Sequence, residues 1–402
     1  MCAQSTDQDG PGRGRWAHRE VDVGTVSFFF AGGGTGGHIY PLLAVAEQIR
    51  RSQPDAEIHF FHSTRAVDER VFDRTGFGRT SLPASGLYMY PGKFLRFVLT
   101  FQQSYKIATR VIAERPNAVV IGAGGFVAGP VCRAGCRLGV PVAMLNVDIV
   151  PGRANRLSGR WADEIFMQFE ESGSYFSGSR ARLHVVGCPL RSGFAHPDAD
   201  QAIADLGLDA GKSVLLVTGA SSGSARINEA ICRLLPRLKS SADRWQIVHL
   251  TGLDNYKTVL AEYDGAPISY KVLDYYDGMA DLLAAADLVI GRSGAVSVAE
   301  YAAAGVPSIC LPYPFHKDKH QYLNAGKLVE AGAAVIVDDV PDTEDRTSRL
   351  WKELEPLMAD EAKRRKMSEA CKRVAKPNAA ADIASRLLDL ARKGRTAEPA
   401  RR

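Results

Sequence analysis

Short apolar runs alternate with segments of helical periodicity along the first half of the chain. Residues 25–31 are almost continuously apolar, which is typical of a buried strand, and residues 57–62 form the next such run. Between them, Pro41 is predicted to open a helix, because apolar residues recur after it at helical spacing. Residues 118–121 and 140–144 are further predicted strands. The pattern predicts parallel strands joined by helices.

The second half of the chain repeats this alternation. Residues 214–217, 247–250, 288–290 and 308–311 are predicted buried strands, and a helical pattern begins at Ala225. A chain of 402 residues is long enough for two cores. The sequence therefore predicts an α/β protein with two Rossmann-like domains.

Glycine-rich segments follow predicted strands in both halves. Residues 32–38 read GGGTGGH, residues 122–130 read GAGGFVAGP, and residues 219–223 read GASSG. Glycines let the backbone approach a phosphate closely, and the helix that follows offers N–H donors. The first segment also satisfies GxGxxG, and Arg65 after the second strand leaves an NADP-binding alternative open, although that alternative must explain a second glycine-loop domain.

Residues 286–325 carry the most specific pattern. A strand is followed by a turn at residues 292–294, and a helix at about residues 296–304 carries Glu300, whose carboxylate suits a ribose diol. After the next strand, His320 and Gln321 bring further hydrogen-bonding groups to the same sheet edge. Phosphate, diol and hydroxyl partners together predict a nucleotide-sugar site.

Composition narrows the function classes. The chain is 46% hydrophobic and 24% charged, its net charge is +5, and its seven cysteines lack the spacing of a metal site. We expect no metal, no other cofactor and no nucleic-acid partner. Residues 1–22 and 393–402 are predicted to be disordered extensions.

The sequence resembles the MurG family, the peptidoglycan N-acetylglucosaminyltransferases that convert lipid I to lipid II. The resemblance rests on residues 292–295 (RSGA), on Glu300, on the run 312–325, and on residues 33–38 (GGTGGH). It implies a GT-B fold, in which the two Rossmann-like domains face each other across a cleft. It also implies UDP-N-acetylglucosamine as donor, an undecaprenyl-diphosphate-linked muramoyl peptide as acceptor, and inverting transfer to the acceptor's C4 hydroxyl. It also implies roles in cell-wall synthesis, cell shape and cell division.

The resemblance assigns binding residues to the two halves of the chain. The donor residues are Arg191, Ser221, Tyr276, Arg292, Gly294, Ala295, Glu300, His320 and Gln321. The acceptor and phosphate loops are represented by Gly34, Thr35, Gly36, Gly37, Gly124, Gly125 and Asn155. The implied domains are 23–190 for the acceptor and membrane, joined by a returning C-terminal helix at about 368–392, and 200–366 for the UDP-sugar.

The acceptor half departs from the family pattern. Residues 145–148 read Leu-Asn-Val-Asp where the family has His-Glu-Gln-Asn, whereas Pro151, Gly152 and Asn155 match it. The usual carboxylate is therefore missing at Asn146. Asp148 could take over part of its role, the acceptor could be different, or the protein could be inactive.

Two side chains are candidates for the general base that accepts the proton of the attacking hydroxyl. His38 is the first, because a neutral imidazole suits catalysis near pH 7, and orientation of the glycine loop is the alternative role for it. Asp148 is the second.

Residues 86–115 interleave aromatic and aliphatic side chains with lysine and arginine. Such a stretch either lies on an anionic membrane surface or is an ordinary core helix with a basic edge. The resemblance favours the membrane, and implies a peripheral enzyme on the cytoplasmic face of the bacterial inner membrane.

Three other functions remain open from the sequence. They are a GT-B enzyme with another lipid acceptor, a non-catalytic UDP-sugar-binding paralogue, and a UDP-sugar epimerase of related fold.

Overall fold

Two parallel β-sheets organise the computed structural model of the protein, which describes residues 25–33, 36–73, 75–86, 90–115, 117–220 and 223–394. Within these ranges the first sheet has seven strands in the order β3-β2-β1-β4-β5-β6-β7, and the second has six in the order β10-β9-β8-β11-β12-β13. The strand order reverses beside β1 and beside β8, which is the doubly wound topology that binds ligands at the carboxyl ends of its strands.

The first sheet and its helices have the following bounds. Its strands are β1 Ser27–Ala31, β2 Glu57–Ser63, β3 Gly78–Leu82, β4 Ala118–Gly122, β5 Val142–Asn146, β6 Glu164–Met167 and β7 Arg182–Val185. Its helices are α1 Gly36–Ser52, α2 Ala66–Phe72, α3 Pro91–Ala113, α4 Gly125–Leu138 and α5 Arg153–Ser158.

The second sheet, the helices around it and the three C-terminal helices have the following bounds. Its strands are β8 Ser213–Thr218, β9 Trp245–Leu250, β10 Ser269–Leu273, β11 Leu288–Gly291, β12 Ser308–Cys310 and β13 Ala334–Ile336. The helices are α6 Ala199–Leu206, α7 Ala225–Leu234, α8 Tyr256–Glu262, α9 Met279–Ala285, α10 Ala295–Ala304, α11 His320–Glu330, α12 Thr343–Ala359, α13 Glu361–Val374 and α14 Ala379–Lys393.

Aromatic pairs hold the centre of the first sheet. Every residue of β1 is buried, since helices cover both faces of the sheet. Phe30 stacks on Phe60 of β2 with ring centroids 5.0 Å apart, and Phe29 stacks on Phe61 at 5.8 Å. These pairs bury large apolar areas on both faces, so they fix the register of the two strands that carry the first glycine loop and its neighbour.

One predicted helix start and the extent of one predicted glycine loop are wrong by several residues. Helix α1 begins at Gly36 rather than at Pro41, which lies inside it. Because proline lacks an N–H, the Gly37 carbonyl loses its intrahelical partner, a defect confined to the first turns. The second glycine loop is shorter than predicted, because α4 begins at Gly125 and takes in residues 126–130.

The last helix returns to the first sheet. Helix α14 packs on α1 and contributes Ile383, Leu387 and Leu390 to the same core as β1 and β2. Helix α13 instead packs on α10 of the second domain. The returning segment therefore begins at residue 379 and not at about 368, because α13 is amphipathic and buries its apolar side on the second domain. The exact limits of the domains remain a prediction.

No helix within the described ranges is both long enough and apolar enough to span a membrane.

Removing the Leu387 side chain tests the packing of α14. Leu387 is fully buried in the first-domain core, so Leu387→Ala is expected to lower the free energy of unfolding by about 2–5 kcal/mol. Ser385→Ala, an exposed position on the same helix, should change it by less than about 0.5 kcal/mol. Urea unfolding followed by circular dichroism measures both values. Equal effects of the two substitutions would show that α14 does not dock on the first domain.

Candidate active site

The two glycine loops of the first domain meet at the carboxyl ends of β1 and β4. A Cβ atom on Gly125 would overlap the carbonyl oxygen of Gly33, and φ of Gly125 is +70°. A Cβ atom on Gly124 (φ +105°) would lie 2.7 Å from Asn155 Oδ1 and 3.3 Å from the His38 ring. Side chains cannot be accommodated there, so the sequence needs glycine at both positions.

The predicted phosphate-loop residues therefore lie together where the structure describes them. Gly36 and Gly37 form the first turn of α1, where free N–H groups face the loop end of the helix. Gly34 and Thr35 lie outside the described residues. Gly124 lies beside His38, and Gly125 and Asn155 line the same cavity as His38.

The surroundings of His38 have opposing effects on its pKa. Burial lowers the pKa of His38, while the carboxylates of Asp148 and Asp68 and a hydrogen bond with the Gly33 backbone raise it. Burial has the largest effect, which favours the neutral imidazole. A neutral imidazole beside a carboxylate can accept a proton and then be stabilised as the cation.

Asp68 is a member of this group that the sequence analysis missed. It is fully buried, and its Oδ2 accepts hydrogen bonds from Ser63 N and Ser63 Oγ at 3.1 and 2.5 Å. It therefore fastens α2 to the end of β2, beside the first glycine loop. The residue stands in a short helix without a motif around it, so the sequence offers no signal for its role.

The loop that departs from the family pattern forms a chain of amides. Asn155 Nδ2 donates to Asn146 Oδ1 at 3.0 Å, and Asn146 Nδ2 donates to the backbone oxygen of Asp148 at 2.7 Å. Asn146 is 1% exposed, so it shapes the loop from inside. Asp148 carries the charge of this loop and, with His38, lines a cavity of about 320 Å³.

Asp148 also reaches the second domain. Its Oδ1 accepts a hydrogen bond from Asn324 Nδ2 at 2.9 Å, and Asn324 Oδ1 accepts one from Ile149 N at 3.1 Å. The loop after β5 and helix α11 are thus joined across the cleft.

The predicted donor residues gather at the carboxyl edge of the second sheet. Gly294 is the N-cap of α10, and Ala295 is its first residue. Gln321 lies in the first turn of α11, and its Oε1 accepts a hydrogen bond from Tyr313 N at 2.9 Å. His320 Nδ1 lies 2.7 Å from Asp318 Oδ1. Backbone donors at two helix N-termini thus lie beside amide and imidazole side chains, a combination that suits an anionic sugar donor.

Glu300 faces Arg191 within this edge. The side chain of Glu300 is 15% exposed, and its Oε1 lies 3.9 Å from Arg191 Nη2. Burial raises the pKa of Glu300 to about 7, although the guanidinium of Arg191 lowers it. A carboxylate that is partly desolvated in this way gains from hydrogen-bond donors such as the hydroxyls of a diol.

Arg292 is occupied within the second domain. Its Nη2 lies 2.8 Å from Asp339 Oδ2 and donates to Ser224 Oγ at 2.8 Å, while Nη1 donates to the Leu311 carbonyl at 2.8 Å. It therefore braces the end of β12 against Ser224, the N-cap of α7. Ser221 lies outside the described residues. The predicted contact of Arg292 with the donor diphosphate remains a prediction.

Two tyrosines that the sequence analysis did not single out connect the domains at the cleft. Tyr40 Oη, on α1, lies 3.3 Å from Tyr275 Oη, in the loop after β10, and the Arg191 guanidinium lies 4.9 Å from the centre of the Tyr40 ring. The neighbouring Tyr276 packs against the core of the second domain. The predicted role of Tyr276 in donor binding remains a prediction.

Comparisons with known proteins match both halves of the chain. The N-terminal domain of glycosyltransferase family 28 matches residues 28–167, and the C-terminal domain of that family matches residues 214–387. The UDP-N-acetylglucosamine--N-acetylmuramyl-(pentapeptide) pyrophosphoryl-undecaprenol N-acetylglucosamine transferase of Halothermothrix orenii is 34% identical over 360 residues, 88% of this chain and 95% of that protein. The protein of the same name from Clavibacter sepedonicus is 35% identical over 379 residues, 93% of this chain and 98% of that relative. The chain belongs to the MurG family.

Solved structures agree with the MurG assignment. The crystal structure of MurG from Acinetobacter baumannii has a TM-score of 0.67 at 25% identity and covers 90% of this chain and 99% of that one. The UDP-GlcNAc 2-epimerase of Neisseria meningitidis has a TM-score of 0.65 at 14% identity, with 91% and 100% covered, which shows a shared fold alone. The predicted fold, two Rossmann-like domains of the GT-B type, and the predicted glycosyltransferase class are confirmed.

The pH dependence of stability tests the environment of Glu300. Since burial raises its pKa from 4.5 to about 7, ionising this carboxyl makes folding less favourable, and wild type should lose stability as pH rises through that window. Glu300→Gln should therefore gain stability relative to wild type by up to about 3 kcal/mol between pH 4.5 and 7. Urea unfolding at several pH values measures the difference. Glu262→Gln, at an exposed carboxyl, should show no such trend, and a flat difference for Glu300→Gln would disprove the raised pKa.

Proposed function

We propose that this glycosyltransferase transfers N-acetylglucosamine from UDP-N-acetylglucosamine to the C4 hydroxyl of an undecaprenyl-diphosphate-linked muramoyl peptide, in peptidoglycan synthesis at a membrane surface. The reaction is the one for which its relatives are named. The observation that carries the proposal is the cleft itself, in which the His38 and Asp148 cluster of the first domain faces the Glu300 and Gln321 edge of the second.

The donor occupies the second domain in this proposal. Glu300 accepts hydrogen bonds from the ribose hydroxyls, which compensates the desolvation of its carboxylate. Arg191 and the N-terminus of α10 face the diphosphate, and Gln321 and His320 bind hydroxyls of the sugar. The Tyr276 region binds the uracil through its backbone.

The acceptor hydroxyl attacks from the side of the first domain. Its oxygen forms a bond to the anomeric carbon as the bond from that carbon to the UDP oxygen breaks, and the configuration inverts. The hydroxyl proton passes to His38, whose imidazolium the carboxylate of Asp148 stabilises. The negative charge that develops on UDP is stabilised by helix N-termini and by Arg191. The paired glycine loops hold the acceptor diphosphate.

An exposed apolar surface on α3 supports membrane attachment. Leu95 and Leu99 are 58% and 61% exposed, and Phe94 and Val98 on the same side are 47% and 37% exposed. Arg96 lies exposed among them. Apolar side chains can enter the headgroup region while the cation binds anionic lipid, so the helix suits the cytoplasmic face of the inner membrane.

The changed loop after β5 supports a second candidate, a glycosyltransferase of the same donor with a different lipid acceptor. Asn146 is a neutral amide where the family has a carboxylate. Its oxygen accepts a hydrogen bond from Asn155, and its nitrogen donates one to the backbone oxygen of Asp148.

A transfer assay tests the reaction and its base. Labelled N-acetylglucosamine should pass from its UDP donor to a lipid I analogue with wild type, and His38→Ala and Asp148→Ala should each lower kcat by about 10²–10⁴-fold. His196→Ala, an exposed histidine, serves as the control and should retain full activity. Binding of UDP-N-acetylglucosamine without transfer to lipid I would remove this acceptor and favour the second candidate.

Flotation with lipid vesicles tests the α3 surface. The double substitution Leu95→Glu and Leu99→Glu should abolish binding to vesicles that contain phosphatidylglycerol, because charged side chains then replace the inserted apolar ones. Leu253→Glu, at a residue of the second domain that is 66% exposed, is the matched control and should float like wild type. Binding that survives the double substitution would contradict attachment through α3.

A further inference from the structure

Asn324 is a buried amide at the boundary between the two domains. It lies on α11 with no exposed surface, one turn beyond the predicted sugar-binding residues His320 and Gln321. Buried amides need partners for both their donor and their acceptor atoms. The partners of Asn324 lie on two different loops, one from each domain.

The amide oxygen and nitrogen of Asn324 hold the loop after β5. Oδ1 accepts from Ile149 N at 3.1 Å, and Nδ2 donates to Asp148 Oδ1 at 2.9 Å. A longer contact of 3.4 Å joins Nδ2 to the backbone oxygen of Ser293, which precedes the N-cap of α10. Ser293 Oγ in turn donates to the Gln321 carbonyl at 3.0 Å. Asn324 therefore connects the donor edge to the acceptor loop.

The backbone of Asp148 is held from the first domain. Asn146 Nδ2 and Ser172 Oγ donate to its carbonyl oxygen at 2.7 and 3.2 Å. The side chain of Asp148 is held instead from the second domain, by Asn324. The orientation of the carboxylate therefore depends on the relative position of the domains.

We propose that Asn324 is a positioning residue, which orients the Asp148 carboxylate toward the reacting groups when the two domains close around the donor. The inference rests on the proposed function, and it adds a residue whose effect is exerted through Asp148. An amide suits the orientation of a carboxylate, because its nitrogen donates a hydrogen bond at every pH. Its oxygen meanwhile accepts a hydrogen bond from the neighbouring backbone N–H. In this arrangement a residue of the donor domain orients the carboxylate on the acceptor side.

The variant Asn324→Asp tests the proposal through pH. At pH 8 two carboxylates would face each other at hydrogen-bond distance, Asp148 would be displaced, and kcat/KM should fall about 10²-fold. At pH 6 the pair should share a proton, because one pKa of a close carboxylate pair is strongly raised. The protonated carboxyl then donates a hydrogen bond in place of the amide. The loss of kcat/KM relative to wild type should therefore shrink to about tenfold or less.

Other titratable or charged groups lie near Asp148, and measuring wild type at each pH accounts for their titration. They are His38 on α1, His316 on the loop after β12, Cys188 on the segment that joins the domains, and Arg65 and Arg153 on the wall of the same cavity.

Two further variants make the test specific. The exchange Asp148→Asn with Asn324→Asp leaves one carboxylate and one amide in contact, so the pH-dependent loss seen in Asn324→Asp should disappear. Lys327→Met removes a different ion pair between the domains, with Glu171, one turn along α11. It should lower kcat/KM less than threefold, because it does not contact Asp148.

Unfolding midpoints at pH 6 and 8, and affinity for UDP-N-acetylglucosamine by calorimetry, accompany the transfer assay. Suppose that wild type transfers the sugar. If kcat/KM of Asn324→Asp then falls by the same factor at pH 6 and pH 8, or if kcat/KM of Lys327→Met falls as much as that of Asn324→Asp, the positioning role is wrong. If wild type does not transfer, the proposed reaction is wrong. In that case, the contact between Asn324 and Asp148 is still supported if Asn324→Asp has a lower unfolding midpoint and binds UDP-N-acetylglucosamine more weakly at pH 8 than at pH 6, and if the exchanged pair shows neither difference. If Asn324→Asp shows no such differences, the proposed contact is overturned.

Discussion

The close approach of the two glycine loops in the first domain is the constraint on which the site depends. Gly125 lies so near the Gly33 carbonyl that a side chain would overlap it, and Gly124 leaves room for the His38 ring and the Asn155 amide. Backbone groups therefore form the floor of the cleft, and they need no side-chain rotation to meet a charged ligand. The stacked phenylalanines of β1 and β2 hold this floor in place, because the loop follows directly from β1.

Burial of charge gives the cleft its chemistry. Desolvation lowers the pKa of His38, which favours a neutral base. It raises the pKa of Glu300, whose carboxylate would be stabilised by a ligand that donates hydrogen bonds. Arg292 is neutralised by Asp339, and it fixes the walls of the second domain.

The domains are connected by two passages of the chain that touch each other. A Cβ atom on Gly187 (φ +96°) would overlap the Lys376 side chain, so the segment after β7 and the segment before α14 lie in contact. Helix α14 then packs on α1, the helix that carries His38 and Tyr40. Any relative rotation of the domains would have to be absorbed by these two adjacent segments. The contact of Asn324 with Asp148 joins the same two domains at a separate, buried point.

The sequence by itself determined the fold class, the central buried strands and the local motifs. Central parallel strands are apolar on both faces, so β1, β4, β8 and β11 are readable as continuous runs. The glycine loops, His38 and Glu300 are likewise readable, because each belongs to one strand–turn–helix unit. Edge strands such as β3 and β10 were not predicted, since much of their surface is exposed and their residues are mixed in polarity. Tertiary structure alone decided the pairing of Tyr40 with Tyr275, of Asn324 with Asp148, and of Arg292 with Asp339. These contacts join residues that are far apart in the chain, and no local periodicity records which distant side chains meet in the folded protein.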